Sequence, residues 1–492
     1  MNLTLLIGLP LLTALLVLLA RSSHQVKWIA LVGSVLQLAL AFGLYFAFRQ
    51  QRVIDPASQM LFEQNHPLFE SLHINYHLGV DGISVAMILL TSFVVTAGVL
   101  VSFSQQNMTK EFYFLLLLLA LGAYGFFISL DLFVLFFFLE ISVIPKYLLI
   151  GIWGSGKKEY SANKLALMLM GGSALILVGI LGLYFTGGHD FDLINLSKAS
   201  LSGPAQKILF PFLFAGFGVF TALFPFHTWV PDGHSSAPTA GSMFLAGISM
   251  KLGGYGCLRV AIYLLPEGAR QYADIIIVLS AIAILYGALV TMMQKDLKYI
   301  NAYSSISHVG FSLLAMGMLT QTAITGALLQ MVSHGLMTAL FFAVIGMIYD
   351  RTHTRNVDEL GGLMKVMPFI STVFFIAGLC SLGLPGFSGF VAEMTVFVGS
   401  WQNNDPFHRI ATIAATLSIV VTAVYILRAA GRTVMGPINN HSFEELTDAA
   451  WNERLAAILL ISGIIAIGVA PGWLNDLLKP AAEIIMNRID GK

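Results

Sequence analysis

Apolar runs of roughly twenty residues recur from one end of this 492-residue chain to the other, and no other feature narrows its fold so far. A run of that length crosses ~30 Å of hydrocarbon as a helix. Lipid offers backbone groups no partners, so each run must satisfy its own hydrogen bonds. With 57% hydrophobic and 11% charged residues, against about 25% charged in soluble domains, the chain reads as an all-α polytopic membrane protein. Its formal net charge of zero argues against a nucleic-acid partner; the lipid bilayer is the expected surrounding. Cys257 and Cys380 both lie in apolar segments and suggest neither a disulfide framework nor a metal site. The N-terminal MNLTLLIGLPLLTALLVLLAR has no basic residue before its apolar run, and reads as a retained first helix rather than a cleaved signal.

Fourteen spans are predicted, near 2–21, 27–48, 79–104, 111–129, 131–152, 161–186, 206–230, 236–264, 271–294, 299–320, 323–349, 367–400, 408–432 and 453–478. The hydrophilic connection 49–78, with several acids, His66, Pro67 and His73, reads as an extramembrane loop or hairpin. Only a short tail is expected after the last span. Lys and Arg number thirteen in the odd-numbered connections and nine in the even-numbered ones and the tail, Lys492 included. Positive residues favour the cytoplasm. The odd connections are therefore placed inside and both termini on the outer, periplasmic side of a bacterial inner membrane.

Two of these spans are broken. The run from Ala215 to Val260 begins as an apolar helix, is interrupted by Pro225 and Pro231 in FPFHTWVPDGH, and restarts as a helix carrying Lys251 near its middle. Proline removes a backbone donor and clashes with the preceding turn. Such interruptions survive at membrane depth only against protein or a water-filled cavity. A second break, SLGLPGFSGF at 381–390, lies five spans later. An odd offset gives the two copies opposite orientations, as in transporters built from inverted repeats. The domains expected are 1–110, with three helices and the external loop; 111–264, a first inverted repeat of five helices; 271–432, a second; and 433–492, the last helix and tail.

Ionisable residues inside the spans point to an ion path. Glu140 lies near the middle of the fifth span and Lys146 follows it just after Pro145. Lys164 starts the sixth span, Lys251 is central in the eighth, His308 in the tenth and His334 in the eleventh; Glu393 follows the Pro385 break. A mid-membrane lysine costs at least ~2.5–3.5 kcal/mol on insertion scales and normally marks such a path. Taken singly, each residue has a plainer explanation. A lone buried histidine is more often a satisfied core group, Lys164 can reach the surface, and a proline pair can be a packing kink. Together, Glu140, Lys251, His308 and His334 fall near span midpoints and are expected at one depth, where a row of coupled groups passes protons sideways. Hydroxyls of Tyr303, Ser304, Ser305, Ser307 and Ser333 are candidates to bridge gaps in that row. No cysteine cluster, nucleotide loop or haem motif supplies a redox centre.

FPFHTWVPDGHSSAPTAGS and AGISMKLGGYG, with HLGVDGIS, FFFLE, DLKYINAYSSISHVGF, LLQMVSHGLMTALFF, YDRTHTRNVDELGGL and LPGFSGFVAE, make the chain similar to the antiporter-like membrane subunits of respiratory complex I, the M-type subunits above all. The resemblance covers most of the chain. It implies a proton-translocating subunit of NADH:quinone oxidoreductase, with FMN, iron–sulfur clusters and quinone in partner subunits and L-like and N-like neighbours. It implies channel roles for Glu140, Lys251 and Glu393, with Lys164, His308 and His334 matching the family's remaining polar positions. Two other readings stand beside it: a subunit of an Mrp-type Na+/H+ antiporter, and a non-pumping structural subunit. One position departs from the pattern. The family's lysine on the broken seventh helix is Phe220 here. Lys146, where such chains usually carry an uncharged residue, is the candidate replacement. On a regular helix it would stand about 240° and ~9 Å from Glu140, so the two need not touch.

Overall fold

A computed structural model describes residues 1–491, and Lys492 lies outside them. Helices α1 (Thr4–Leu19) and α2 (Ser23–Ile54) lead into a hairpin of β1 (Leu61–Phe69) and β2 (Ile74–Val80). There follow α3 (Gly82–Val101), α4 (Thr109–Ile128), the pair α5 (Leu132–Ile141) and α6 (Val143–Trp153), α7 (Lys158–Thr186) and a short α8 (Leu193–Lys198). The broken seventh span is α9 (Gly203–Thr221) and α10 (Trp229–Ser236). The eighth is one rod: α11 (Thr239–Phe244), a π-helical segment Leu245–Ser249, α12 (Met250–Gly256) and a second π-helical segment Cys257–Ile262. Next come α13 (Pro266–Met293), α14 (Leu297–Gly317), α15 (Gln321–Thr352), α16 (Pro368–Ser381), α17 (Ser388–Trp401), α18 (Pro406–Thr433), α19 (Trp451–Val469) and α20 (Gly472–Asp490).

Every predicted span contains helix, and ten helices among the described residues are long and apolar enough to cross a membrane. Burial sorts them. The apolar length of α15 is wholly enclosed and that of α3 almost so, whereas α2, α7 and α18 bury well under half of theirs. Outward apolar side chains such as Leu167, Met170, Ile410 and Val420 belong to those peripheral helices. Lys251, His308, His334 and Glu393 are buried inside the bundle, whereas Lys164 lies on the peripheral α7 and is partly exposed.

Local chemistry sets the ends. Asp81, Asp131 and Asp296 each accept bonds from the first free N–H groups of α3, α5 and α14, the ordinary role of an N-cap aspartate. Small residues set the packing. A Cβ on Gly253 would lie 2.5 Å from the Phe217 carbonyl oxygen, and one on Gly256 2.1 Å from the Phe217 ring. The run MKLGGYG therefore seats α12 directly on the backbone of α9, the close approach that glycine permits between membrane helices.

The structure corrects several boundaries. The fifth span is not continuous: it is interrupted at Ser142, because Pro145 leaves the carbonyl one turn earlier without its amide donor. Helix α2 runs on to Ile54, so the connection to α3 is shorter than the hydrophilic stretch suggested, and its remainder is the β1–β2 hairpin. The last span ends at Val469. The end of the expected last span, 472–478, and nearly all of the expected tail form the amphipathic α20, whose Leu474, Leu478, Ala482 and Ile485 are buried while Asp476, Lys479 and Glu483 face outward.

His77 in β2 anchors the hairpin by bonding Asp192 and, at 3.2 Å, Glu63. Burial alone would lower its pKa, but the two carboxylates outweigh burial and raise it. Asp192 is pushed up by burial, yet its bonds to His77 and to backbone amides hold it below the ordinary aspartate range. The anchoring is thus complete below pH ~6.5, weakens as pH rises through the elevated histidine pKa, and weakens again in acid as Asp192 takes up a proton. Protection of the β1 and β2 amides, with the intrinsic base-catalysed exchange rate divided out, is expected to fall as pH rises above ~6.5, and His77→Asn should remove that fall.

Candidate functional site

The first break is built from the end of α9. Ala222 takes a left-handed backbone (φ 69°) and the helix stops. The indole of Trp229, where helix resumes, donates to the Val219 carbonyl at 2.8 Å, so the opened turn is satisfied from within the chain. Phe220 is buried at this end. Against it lies the ammonium of Lys146, 5.7 Å from the ring centroid and 3.0 Å from the Ser142 hydroxyl that it donates to. Ser142 passes the bond on to the Leu139 carbonyl at 2.7 Å. Glu140 accepts a bond from Ser173 of α7 and lies in Coulombic reach of Lys146. Each is hydrogen-bonded to a different serine, and the link between the pair is through the field rather than a direct bond.

The second cluster is continuous. Lys251 donates to the Ala246 carbonyl at 2.6 Å, within the π-helical turn, and meets Nδ1 of His334 at 2.7 Å. The rings of His334 and His308 are 5.8 Å apart. His308 then meets Glu393 through Nδ1 at 3.4 Å and Ser381 through Nε2 at 3.0 Å. The second break supplies the far end of this file. Gly383 and Gly386 adopt left-handed backbone, and a Cβ on Gly383 would sit 2.5 Å from a Glu393 carboxylate oxygen. Lys251, His334, His308 and Glu393 are all buried.

Of the predicted residues, then, four form one file, and Glu140 with Lys146 forms a separate cluster beside the first break. Lys164 is elsewhere: it pairs with Asp232 of α10 at 2.7 Å, and the Tyr299 hydroxyl reaches the same carboxylate at 3.4 Å. The predicted bridging hydroxyls are mostly occupied otherwise. Ser304 and Ser305 bond the Asn301 carbonyl, Ser307 bonds Ile284, and Ser333 donates to Ser388. The hydroxyl that does join the file is Ser381, from the break itself.

Sequence reasoning passed over Asp232, His234 and Lys298. His234 is fully buried against Trp229 and Phe342, with both ring nitrogens unpartnered among the described residues, and it lies in Coulombic reach of Lys251 and Lys298. Lys298 caps the Ala237 carbonyl at 2.7 Å. For Asp232 and His234 the signal was present: PDGH follows the first break directly, on α10, within the same apolar span.

Interrupted helices packed against unbroken ones, so that lysine, histidine and glutamate meet in the interior of a membrane bundle, define an ion-translocating, antiporter-like membrane protein. The family described as NADH:quinone oxidoreductase/Mrp antiporter, transmembrane, matches residues 129–422, and the chain belongs to it. It is 35% identical to NADH-quinone oxidoreductase subunit M of Rickettsia bellii over 98% of this chain and 97% of that one. It is also 35% identical to the subunit of the same name from Rhodobacter capsulatus, over 95% and 91%. Among solved structures it is similar to a chain of respiratory complex I from Thermus thermophilus, with TM-score 0.90, 27% identity and 99% of both chains covered. A chain of the Mrp complex from Dietzia shares the fold, with TM-score 0.87, 20% identity and 100% and 97% covered.

The Lys164–Asp232 bridge joins α7 to the second half of the broken span and is only partly shielded. In a double-mutant cycle, Lys164→Met and Asp232→Asn should each slow proton movement, and the double variant should be no slower than the worse single. The expected coupling is ~0.5–3 kcal/mol, read from initial pumping rates.

Proposed function

We propose that this chain is the proton-translocating, antiporter-like membrane subunit of an NADH:quinone oxidoreductase, coupling electron transfer elsewhere in the complex to proton movement across a bacterial inner membrane. The observation that carries the reading is the contiguous file Lys251–His334–His308–Glu393, buried between interrupted helices. Each member exists with or without a proton, and each neighbour is close enough for a direct or single-water transfer. FMN, iron–sulfur clusters and quinone belong to partner subunits in this reading, and the flanking membrane subunits are L-like and N-like.

In the arrangement that fits best, fourteen spans cross the bilayer and both termini lie on the outer side. The units are 1–110, the inverted repeats 111–264 and 271–432, and 433–492. Each repeat contributes one break: 222–228 between α9 and α10, and 382–387 between α16 and α17. Glu140 belongs to the first repeat's proton site. Lys146, lying over Phe220, supplies the cation that the fifth-span carboxylate faces. Lys164 supplies the peripheral charge that answers Asp232. Sodium translocation is the less apt chemistry, because the file is built from lysine and histidine rather than from a cage of carboxylate and carbonyl oxygens.

The test is proton movement per electron in vesicles carrying the assembled complex. Lys251→Ala should lower translocation through this subunit ~100-fold, the lower end of what a positioned proton-transfer group contributes. Lys146→Met should impair pumping while the complex still copurifies with its flavin- and FeS-bearing partners. An unchanged stoichiometry in Lys251→Ala would leave the chain as a structural subunit.

A further inference from the structure

A second polar line leaves Lys251 in a direction the file above does not use. Along the eighth-span rod, Tyr255, Arg259 and Tyr263 follow Lys251 at successive four-residue steps, which places them on one face. Helical side chains lean towards the N-terminus, so each covers the turn that carries the one before. The contacts agree: Arg259 lies over the Tyr255 ring with its guanidinium carbon 5.6 Å from the centroid. The Tyr255 hydroxyl meets Ser84 Oγ at 3.2 Å. Ser84 stands in the cap turn of α3, where its amide donates to Asp81 at 3.0 Å. Asp81 accepts from the Arg259 guanidinium, and both are almost wholly buried. Arg259 Nε has no hydrogen-bond partner among the described residues.

Asp81 is also where this line meets open space. A polar cleft of about 310 Å³ on the hairpin side is lined by Asp81, Gln59, Arg52, Asp476 and Asn487, between the end of α2 and α20. Gln59 reaches across to the Tyr263 hydroxyl at the end of the stripe. From Lys251 to Arg259 is eight residues, ~12 Å along the axis, most of the ~15 Å from bilayer centre to the edge of the hydrocarbon.

We infer that Lys251 is a branch point, and that protons reaching it from His334 leave along Tyr255, Ser84 and Asp81 to the hairpin-side cleft. This rests on the proton-translocating reading above. The lysine stem is flexible enough to exchange the His334 side for the Tyr255 side. The ammonium gives a proton to the tyrosine hydroxyl as that hydroxyl hands its own to Ser84, Ser84 passes its own to the Asp81 carboxylate, and Asp81 releases it to solvent in the cleft. One proton enters and one leaves, with Lys251 neutral and ready to accept from His334 again. Arg259, a fixed positive charge, is a positioning residue. It holds the carboxylate at the mouth, and it opposes a free cation moving inward along the stripe.

The test uses the assembled complex in sealed vesicles. Tyr255→Phe removes only the hydroxyl and keeps the ring that packs on Phe126 and Phe127. The route predicts a fall in protons moved per electron, towards the level of Lys251→Ala. Parental pumping in Tyr255→Phe, with Lys251→Ala defective, overturns the route and leaves the translocation reading intact; parental pumping in both overturns the two together. A second measurement does not depend on that variant. In Gln59→Cys, a bulky membrane-impermeant thiol reagent added from the hairpin side should slow pumping, since Cys257 and Cys380 are buried. Labelling without effect on pumping overturns the cleft as the mouth.

Discussion

A cation taken into hydrocarbon must be given oxygen atoms to replace water, and the carbonyls of a regular helix, each already bonded along the axis, are poorly placed to supply them. The irregular backbone of this protein answers that constraint. Lys251 takes the Ala246 carbonyl from a π-helical turn, Lys298 takes Ala237 at the C-terminal end of α10, and Lys146 is met by Ser142 at the interruption of the fifth span. The carboxylate end follows the same rule, with Glu393 set against the Gly383 turn. Helix irregularity and buried charge are two aspects of one arrangement. The carbonyl freed by a break costs several kcal/mol in lipid unless something donates to it, and an ammonium is the strongest such donor.

Glycine decides where these groups meet. A Cβ on Gly335 would lie 2.8 Å from the Gly247 carbonyl oxygen, so α15 and the π-helical segment touch backbone to backbone. His334 and Lys251 flank that contact, and their 2.7 Å approach follows from it. Gly253 and Gly256 do the same for α12 and α9, which holds the first break beside the rod that carries the central lysine. Side-chain chemistry is thus positioned by the smallest residues rather than by bulky packing, as suits helices that hydrophobicity alone cannot drive together in lipid.

Much of this was legible beforehand. Hydropathy located the helical segments, ten of them among the described residues long and apolar enough to cross a membrane, because lipid-spanning length is a property of composition and run length alone. Pro225 and Pro385 marked the two large breaks. The interruption at Ser142 was hidden, since Pro145 was read as a neighbour of Lys146 rather than as the reason for a gap behind it. The π-helical turns left no signal, being set by contacts with α9 and α15 that no local rule contains. The helix α20 was hidden for a different reason: its apolar residues are spaced for one buried face, and a window tuned to continuous hydropathy passes over such a pattern. At the site, Lys251, His308, His334 and Glu393 could be picked out singly from their depth. Their order, and the separation of Glu140 and Lys146 from them, depends on helix pairing.

The distribution of charge also bears on whether the file is there for strength. Replacing buried ionised groups by well-packed apolar ones is often neutral or stabilising, so such groups are poor evidence of a structural role. The Arg351–Glu453 pair has the features of a structural ion pair, being direct, two-pronged at 3.1 and 2.6 Å, and tying α15 to the first turn of α19. The Lys251–His334–His308–Glu393 file does not: it opposes ammonium to imidazole, a contact worth holding only when one partner is neutral, and leaves His334 Nε2 without a partner among the described residues. A row whose bonds are satisfied in one protonation pattern and strained in the next is ill suited to hold a bundle together. It is well suited to pass a proton along, because each transfer removes the repulsion at one contact by creating it at the next.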